Sequence, residues 1–219
     1  MQTKDLSLHH IIQPNSIQQE KPPVLFMLHG YGSNEEDLFS FASQLPKELF
    51  IISVRAPHNL MPYGHAWYAI HFDADDGKWS DDAQAITSRD VFSNFINEAI
   101  DAYHLDATNV TLLGFSQGTI LSYAVALSYP EKVKNIIGLS GYINERILTK
   151  SIENNNFSNL HVYASHGSVD QVIPVEWARK TAPFLEKLGI DYSYEEFPVG
   201  HGVAPQNFYA LKDWLAENI

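Results

Sequence analysis

Short apolar runs recur along the chain, separated by turn residues and by segments of helical period. Six runs have the length and composition of β-strands, and they cover residues 24–28, 49–54, 110–113, 135–140, 161–165 and 191–197. Several are apolar at nearly every position, as expected for strands that are covered on both faces. Strands that alternate with helical segments predict an α/β protein with a mostly parallel sheet and helices on both faces.

Three segments predict amphipathic helices that would cover this sheet. Apolar residues recur at three- and four-residue steps over residues 92–103, behind a capping group at residues 80–82. A second helix is predicted between residues 174 and 189, where Pro183 should bend or shorten it. A third helix, around residues 208–215, closes the chain against the sheet.

The remaining stretches are less regular. Residues 6–19 are expected to add an edge hairpin, whereas residues 55–78 and 142–159 have no period that predicts an element. A chain of 219 residues without repeats or a linker fits one domain over residues 1–219.

Composition and charge exclude several classes of function. The net charge of −12 disfavours binding to nucleic acids, which depends on clustered Lys and Arg. The absence of cysteine excludes disulfides, thiolate nucleophiles and thiolate metal sites. No apolar stretch has the length of a membrane span, so stable membrane insertion is not expected. Residues 1–13 lack the pattern of a secretory signal, which predicts a cytoplasmic location.

The most informative motif is Gly114-Phe115-Ser116-Gln117-Gly118, which follows the run 110–113 and precedes a helical run over residues 119–129. A strand that turns abruptly into a helix holds its serine in a strained conformation, and the flanking glycines remove side chains that would collide across the turn. This is the pattern of a nucleophile elbow. We therefore expect Ser116 to be an exposed nucleophile.

A serine nucleophile needs a base within hydrogen-bond reach and an acid that orients the base, and in folds with such an elbow the base comes last. Only His161, His166 and His201 follow Ser116. His201 lies between two glycines after the last predicted strand, and we expect it to be the base. His161 begins its strand at the opposite edge, and His166 shares its loop with Asp170.

Asp170 is the expected acid. It lies in the loop after the run 161–165, at the edge where parallel strands present their functional residues. Asp191, Glu195 and Glu196 lie in or beside a strand and would have to point the wrong way. An aspartate in such a loop can instead cap a helix or tighten a turn.

The developing oxyanion of an acyl-transfer reaction needs two backbone N–H donors that are already in place. In a nucleophile-elbow fold one donor is the residue after the serine, here Gln117, and the other lies in a loop after an early strand. The glycine-bracketed loop at residues 29–33 offers the Tyr31 amide. We expect His29 to brace this loop by hydrogen bonding.

These segments together resemble the phospholipase/carboxylesterase family of α/β-hydrolases, which includes acyl-protein thioesterases. The matching motifs span almost the whole chain and are Leu28-His29-Gly30-Tyr31-Gly32-Ser33, Gly114-Phe115-Ser116-Gln117-Gly118, Ser165-His166-Gly167-Ser168-Val169-Asp170-Gln171-Val172-Ile173-Pro174 and Gly200-His201-Gly202-Val203. The resemblance implies an α/β-hydrolase fold without a large cap domain. It also implies hydrolysis of carboxylic esters, thioesters or lysophospholipids without a metal or organic cofactor.

Carried over position by position, the resemblance implies that Ser116 is the nucleophile, Asp170 the orienting acid and His201 the base. The amides of Tyr31 and Gln117 would form the oxyanion hole. An apolar substrate pocket is expected from Trp67, Tyr68, Ile70, Phe72, Val172 and Val203, with Tyr31 beside them.

Two departures from the family pattern bear on the acyl pocket. Ile143-Asn144 replaces a Leu-Pro pair, and Tyr31 is larger than the common leucine. We expect a carboxylesterase for small to medium acyl chains acting on a small-molecule ester. The alternatives are an acyl-protein thioesterase or lysophospholipase, which a basic or strongly apolar surface would favour, and an inactive binding module on the same scaffold. A homodimer is compatible with these features.

Overall fold

A seven-stranded sheet lies at the centre of this protein, whose computed structural model describes residues 2–73 and 77–219. The strands are β1 His10–Gln13, β2 Val24–Leu28, β3 Phe50–Val54, β4 His58–Asn59, β5 His65–Ala66, β6 Ile70–Asp73, β7 Gly77–Ser80, β8 Val110–Phe115, β9 Asn135–Leu139, β10 His161–Gly167 and β11 Asp191–Phe197. The helices are α1 Glu36–Phe39, α2 Asp82–Tyr103, α3 Gln117–Ser128, α4 Val175–Arg179, α5 Thr181–Lys187 and α6 Pro205–Asn218. Short 3-10 helices cover Ala42–Gln44, Pro130–Lys132, Glu145–Ile147 and Ile152–Asn154.

The sheet has the order β1-β3-β2-β8-β9-β10-β11. Only β1 runs antiparallel, and every other pair of neighbours is parallel. All six predicted strands are therefore confirmed as members of one mostly parallel sheet. The edge hairpin predicted for residues 6–19 is wrong, because this segment supplies the single strand β1, which pairs with the distant β3 instead of a local partner.

Helices cover both faces of the sheet, as the continuous apolarity of its central strands predicts. Alternate residues of each strand divide between two hydrophobic clusters. On one face, Val24 and Phe26 pack with the long helix α2, with α3 and with Leu185 of α5. On the other face, Leu25 and Met27 pack with α1 and α6.

The predicted helix boundaries have identifiable local causes. Helix α2 begins after Asp81, whose carboxylate accepts a hydrogen bond of 3.0 Å from the Gln84 amide. The helix predicted between residues 174 and 189 is divided into α4 and α5 at Lys180. Pro183 explains the division, because its ring has no N–H and would collide with the carbonyl four residues earlier.

The segment between β3 and α2, for which no element was predicted, contains two small antiparallel pairs, β4–β5 and β6–β7. His65 also forms an isolated β-bridge with Ser33, which connects the segment between β3 and α2 to the loop after β2. Within the described ranges no helix is both long and apolar enough to cross a bilayer.

Candidate active site

Ser116 lies at the turn from β8 into α3, as the motif predicts. Its backbone has φ 54° and ψ −115°, a conformation that costs a non-glycine residue of the order of 1–3 kcal/mol. The surrounding structure holds it there, because the Ser116 amide donates to the Leu139 carbonyl at 2.9 Å and the Ile120 amide donates to the Ser116 carbonyl. The serine is therefore presented on a sharp strand-to-helix turn.

The two glycines of the motif allow backbone segments to approach closely. A Cβ at Gly114 would lie 2.5 Å from the Thr119 nitrogen in the first turn of α3. A Cβ at Gly118 would overlap the Leu28 carbonyl at the end of β2. The turn can therefore close only when both positions lack a side chain.

The loop after β2 lies directly over the elbow. A Cβ at Gly30 would come within 3.4 Å of Ser116 Cβ and 3.2 Å of the Phe115 ring. In the described part of the chain, neither the Tyr31 amide nor the Gln117 amide donates a hydrogen bond to a protein acceptor. Both predicted oxyanion donors are thus available, one on the loop after β2 and the other at the first residue of α3, next to Ser116.

His29 braces this loop, which confirms that expectation. Its Nε2 accepts a 3.1 Å hydrogen bond from the Ala56 amide, so Nδ1 carries the proton and donates to the Gly30 carbonyl at 2.8 Å. Burial lowers the pKa of His29, although the bond to Gly30 opposes the shift. The imidazole is therefore neutral and linked on both sides to backbone.

An ion pair holds the far end of the same loop. Glu35 is buried, and its carboxylate accepts hydrogen bonds from Nε of Arg55, at 2.7 Å, and from the same guanidinium's Nη2. Burial on its own would raise the pKa of Glu35, but the bonds from Arg55 and from backbone lower it to about 2. Ser53 adds a bond of 2.6 Å to the Glu35 carbonyl.

Trp67 was expected in the wall of the substrate pocket, but the structure places it behind the loop after β2 and the start of α3. It is fully buried and does not line the cavity beside Ser116. Its indole Nε1 donates to the His29 carbonyl at 3.0 Å, and its amide donates to Gln117 Oε1 at 2.9 Å. The Gln117 side chain completes the link by donating to the Tyr68 carbonyl at 2.7 Å. Trp67 thus links the loop after β2, which carries Tyr31, to Gln117 at the start of α3.

Asp170 and His201 meet at the same sheet edge. Asp170 Oδ2 lies 2.7 Å from His201 Nδ1, and Oδ1 accepts hydrogen bonds from the Val172 and Ile173 amides at 2.8 and 3.0 Å. Burial alone would raise the pKa of Asp170, but the hydrogen bonds from His201, Ile173 and Val172 lower it. An ionised carboxylate accepts the Nδ1 proton of His201 and leaves the Nε2 lone pair free.

The other candidate bases and acids do not line the cavity beside Ser116. His166 is fully buried, with Nε2 placed 2.9 Å from the Ile173 carbonyl and 3.2 Å from Asp170 Oδ2. His161 lies at the start of β10, 3.3 Å from the Asp191 carboxylate. Glu196 is paired with Arg179.

Ser116 and His201 line one cavity of about 600 Å³. In the described part of the chain no hydrogen bond joins the Ser116 hydroxyl to the His201 imidazole. The Phe115 ring packs against the imidazole with centroids 4.9 Å apart. Such hydrogen bonds are often long before substrate binds.

The predicted pocket residues divide into three groups. Tyr31, Tyr68, Ile70 and Val172 line the cavity. Trp67 and Val203 do not line the cavity. Trp67 lies behind the loop after β2, and Val203 packs against the hydrophobic cluster that includes residues of α6. The side chain of Phe72 lies outside the described residues.

Several lining residues were not predicted from the sequence. They are Gly30, Ser33, Asp37, Trp79, Ser80, Phe115, Ile120, Tyr142, Arg146, Ile173 and Trp177. Tyr142 follows the carboxyl end of β9, which was a usable signal because loops at that edge surround the elbow. Arg146 lies in the stretch 142–159 and Trp79 directly follows the stretch 55–78, where the sequence offered no such signal.

This chain is similar in sequence and in structure to known esterases and thioesterases. An acyl-protein thioesterase 1 from Emericella nidulans is 28% identical over 142 residues, which cover 63% of this chain and 59% of that protein. A probable carboxylesterase from Oryza sativa subsp. japonica is 25% identical over 212 residues, covering 88% of this chain and 76% of that protein. The crystal structure of esterase PE8 superposes with a TM-score of 0.84 at 26% identity, covering 98% of this chain and all of the other.

The Bacillus cereus carboxylesterase has the same fold, with a TM-score of 0.83 at 20% identity, covering 97% of this chain and 95% of that chain. The model of the family described as Phospholipase/Carboxylesterase matches residues 9–219. The α/β-hydrolase fold predicted from the sequence is thereby confirmed. This protein belongs to the phospholipase/carboxylesterase family.

Proposed function

We propose that this protein is a serine hydrolase that cleaves carboxylic esters of small to medium acyl chains through an acyl-enzyme. The contact that carries the proposal is the 2.7 Å approach of His201 Nδ1 to Asp170 Oδ2, beside the cavity that Ser116 also lines. It supports a base that is held in one tautomer, with Nε2 directed to accept a proton. The esterase and carboxylesterase names of related proteins give further support.

In the first step, His201 Nε2 takes the proton of Ser116 as Oγ attacks the ester carbonyl carbon. The carbonyl oxygen becomes an oxyanion that accepts hydrogen bonds from the Tyr31 and Gln117 amides, each worth about 2.7–4 kcal/mol of barrier. The bond to the alcohol breaks, and the alcohol leaves with the proton from His201. The acyl group remains on Ser116 Oγ.

In the second step, His201 takes a proton from a water molecule as that water attacks the acyl carbon. The same two amides bind the second oxyanion. The acid leaves when Ser116 Oγ recovers its proton from His201. Asp170 stays ionised throughout and stabilises the imidazolium that forms in each step.

The cavity wall favours short and medium acyl chains. Its aromatic surface is interrupted by the polar side chains of Ser33, Asp37, Ser80 and Arg146. A long alkyl chain laid across such groups would remove them from solvent without offering hydrogen bonds, at a cost of about 1–3 kcal/mol for each group that is left unpaired. Acyl-protein thioesterase activity is the second candidate, favoured by the name of the Emericella nidulans relative.

Fluorophosphonate labelling of the purified protein and of Ser116→Ala tests the nucleophile. We expect labelling of the parent protein alone, because only an activated serine forms the phosphonyl adduct. Equal labelling of both proteins would contradict the assignment. A parent protein that is neither labelled nor able to hydrolyse any ester would support the inactive binding module.

A panel of esters and matched thioesters, from acetyl to palmitoyl, tests the substrate class. With Ser116→Ala as blank, we expect the highest kcat/KM for oxygen esters of short or medium chain. A maximum at the palmitoyl thioester would favour the second candidate.

A further inference from the structure

The cavity beside Ser116 has an unusually aromatic wall. Its aromatic side chains, apart from that of His201, are Tyr31, Tyr68, Trp79, Phe115, Tyr142 and Trp177. Tyr142 and Trp177 meet edge to face with centroids 5.1 Å apart, and 45% of Trp177 is exposed. An aromatic ring that enters such a wall gains about 0.5–1.5 kcal/mol beyond the burial of its area. Shape and surface therefore favour a flat ring over a flexible alkyl chain.

Tyr68 is the most deeply buried of the aromatic residues in this wall. Tyr68 is only 1% exposed, and its carbonyl is held by the Gln117 side chain, so the residue is firmly placed. Within residues 2–73 and 77–219, its hydroxyl donates no hydrogen bond. The Tyr68 side chain lines the cavity, and its hydroxyl is not among the fully enclosed side-chain atoms without partners in the described residues, which include His166 Nδ1 and Thr181 Oγ1.

The surroundings keep the Tyr68 hydroxyl in its neutral, donating form. Burial raises its pKa, and Tyr142 and the charge of Asp82 raise it further. Burial also raises the pKa of Tyr142, with Arg146 lowering it and Asp82 raising it. Arg146 lines the same cavity, and its Nε lies 3.1 Å from the Asp82 carboxylate. Tyr68 therefore faces the cavity near a second phenol and a guanidinium that is already partly neutralised.

We propose that the preferred ester carries an aromatic ring with a hydroxyl group at the end away from the ester bond. The ring packs against Tyr142 and Trp177, and the hydroxyl oxygen accepts a hydrogen bond from Tyr68. A neutral acceptor suits this position because Asp82 offsets the charge of Arg146. This inference rests on the proposed ester hydrolysis and names the class of substrate for the same site.

Two pairs of esters test the inference. The acyl pair is methyl 3-(4-hydroxyphenyl)propanoate and methyl 3-phenylpropanoate, and the alcohol pair is 2-(4-hydroxyphenyl)ethyl acetate and 2-phenylethyl acetate. Two methylene groups separate ring from ester in each compound, so the members of a pair have nearly equal chemical reactivity. We expect the hydroxylated member of one pair to have a kcat/KM about three- to ten-fold higher, the value of one neutral hydrogen bond. The pair that responds identifies the side of the ester that enters the cavity.

Tyr68→Phe removes the hydroxyl and keeps the ring. We expect the ratio within the responding pair to fall to about one, because only the hydroxylated ester loses a partner. Tyr209→Phe is the matched control, since Tyr209 lies on α6, is 61% exposed and does not line the cavity. For Tyr209→Phe, the ratio of kcat/KM within the responding pair should equal that of the parent protein.

Trp177→Ala provides a second variant whose exposed position limits any effect on folding. We expect kcat/KM to fall about two- to ten-fold for both members of the pair, with their ratio kept, because each loses the same ring contact. A ratio near one in both pairs for the parent protein, or a ratio that Tyr68→Phe leaves intact, would overturn the inference. Failure of the proposed function is a different result: no ester would then be hydrolysed faster than by Ser116→Ala.

Discussion

The loops that carry Ser116 and His201 look alike in the sequence, since each residue lies close to two glycines, but the glycines differ in what they contact. Side chains at Gly114 or Gly118 would collide with backbone of α3 or β2. Around Gly200 and Gly202 nothing lies within 4 Å of an added Cβ. The glycines beside Ser116 therefore allow close packing of backbone, whereas those beside His201 have free space around them, and the histidine loop instead contacts Gly167 at the end of β10, where an added Cβ would lie 2.1 Å from the Gly200 carbonyl oxygen.

Hydrogen bonds orient the side chains of Asp170 and His201. His201 is oriented by Asp170, and Asp170 by the amides of Val172 and Ile173. The adjacent Val169 and Val172 are 62% and 51% exposed, whereas Ile173 of the same loop is buried in the hydrophobic core. We therefore expect the turn at Ser116 to be most sensitive to added side-chain volume. The pair of Asp170 and His201 should be most sensitive to the loss of hydrogen bonds.

Asp170→Asn should have the largest effect on activity. An amide cannot accept hydrogen bonds at both of its polar atoms, so its NH₂ would face either His201 or the amides of Val172 and Ile173. In a serine protease triad the equivalent change lowers kcat about ten-thousand-fold, and we expect a loss of that order here. Steady-state kinetics with a short-chain ester measures it. Asp191→Asn, at an exposed aspartate on β11, should retain activity; a similar loss there would remove the special role of Asp170.

Gly118→Ala should have the largest effect on stability. Alanine normally favours a helix over glycine by about 1 kcal/mol, but here the methyl group would overlap the Leu28 carbonyl. We expect a net loss of about 3 kcal/mol in the free energy of unfolding, at the upper end for overpacking. Urea denaturation measures the change. Gly202→Ala should stay within about 0.5 kcal/mol of the parent protein, and equal losses in the two variants would contradict the comparison.

The ion pair at the oxyanion loop predicts a dependence of stability on pH. The pKa of Glu35 is about 2 in the folded protein, below its ordinary 4.5, so the charged carboxylate stabilises the fold above pH 4.5 and this contribution is lost as the pH falls towards 2. Glu35→Gln should therefore be less stable by roughly 2 kcal/mol at pH 7, after allowance for the partly exposed guanidinium.

The difference between the parent protein and Glu35→Gln should shrink steadily from pH 5 to pH 2 in chemical denaturation. Glu36→Gln is the control, because Glu36 is the exposed neighbour and makes no pair with Arg55. A difference that does not change with pH would show that the loss at pH 7 comes from packing instead of charge.

Trp67→Phe should have the smallest effect and should act on the rate of the chemical step. The variant keeps a large ring but leaves the buried His29 carbonyl without the indole donor. We expect kcat to fall about ten-fold with little change in KM, because about 1–2 kcal/mol of support for the oxyanion loop is lost. Binding of a trifluoromethyl ketone, which forms an oxyanion on Ser116, should weaken by the same factor.

Trp214→Phe makes the same chemical change on α6, where the ring packs against Tyr163 away from the cavity. Its kcat should equal that of the parent protein. If Trp67→Phe raised KM and left kcat unchanged, Trp67 would belong to the substrate pocket as the sequence first suggested.

The sequence predicted the elements that depend on local pattern. Residues 24–28 and 191–197 form strands with the predicted bounds. The first is buried at every position, whereas the second is an edge strand whose Tyr192 and Tyr194 pack against the core. Residues 6–19 were misjudged, since a short edge strand can pair with a neighbour that is near or far along the chain. Trp67 was misjudged for a related reason: a buried tryptophan near a site can form its wall or its support, and only contacts distinguish the two.

By itself the sequence determined the α/β alternation, the order of Ser116, Asp170 and His201, and the glycines that a sharp turn requires. These features are set by backbone sterics and by periods of two and 3.6 residues, which act over a few neighbouring positions. Tertiary structure alone decided that Trp67 links the loop after β2 to Gln117 and that Tyr68 lines an aromatic cavity. Such contacts join residues tens of positions apart, and their energies depend on the packing of the whole sheet, which no local pattern encodes.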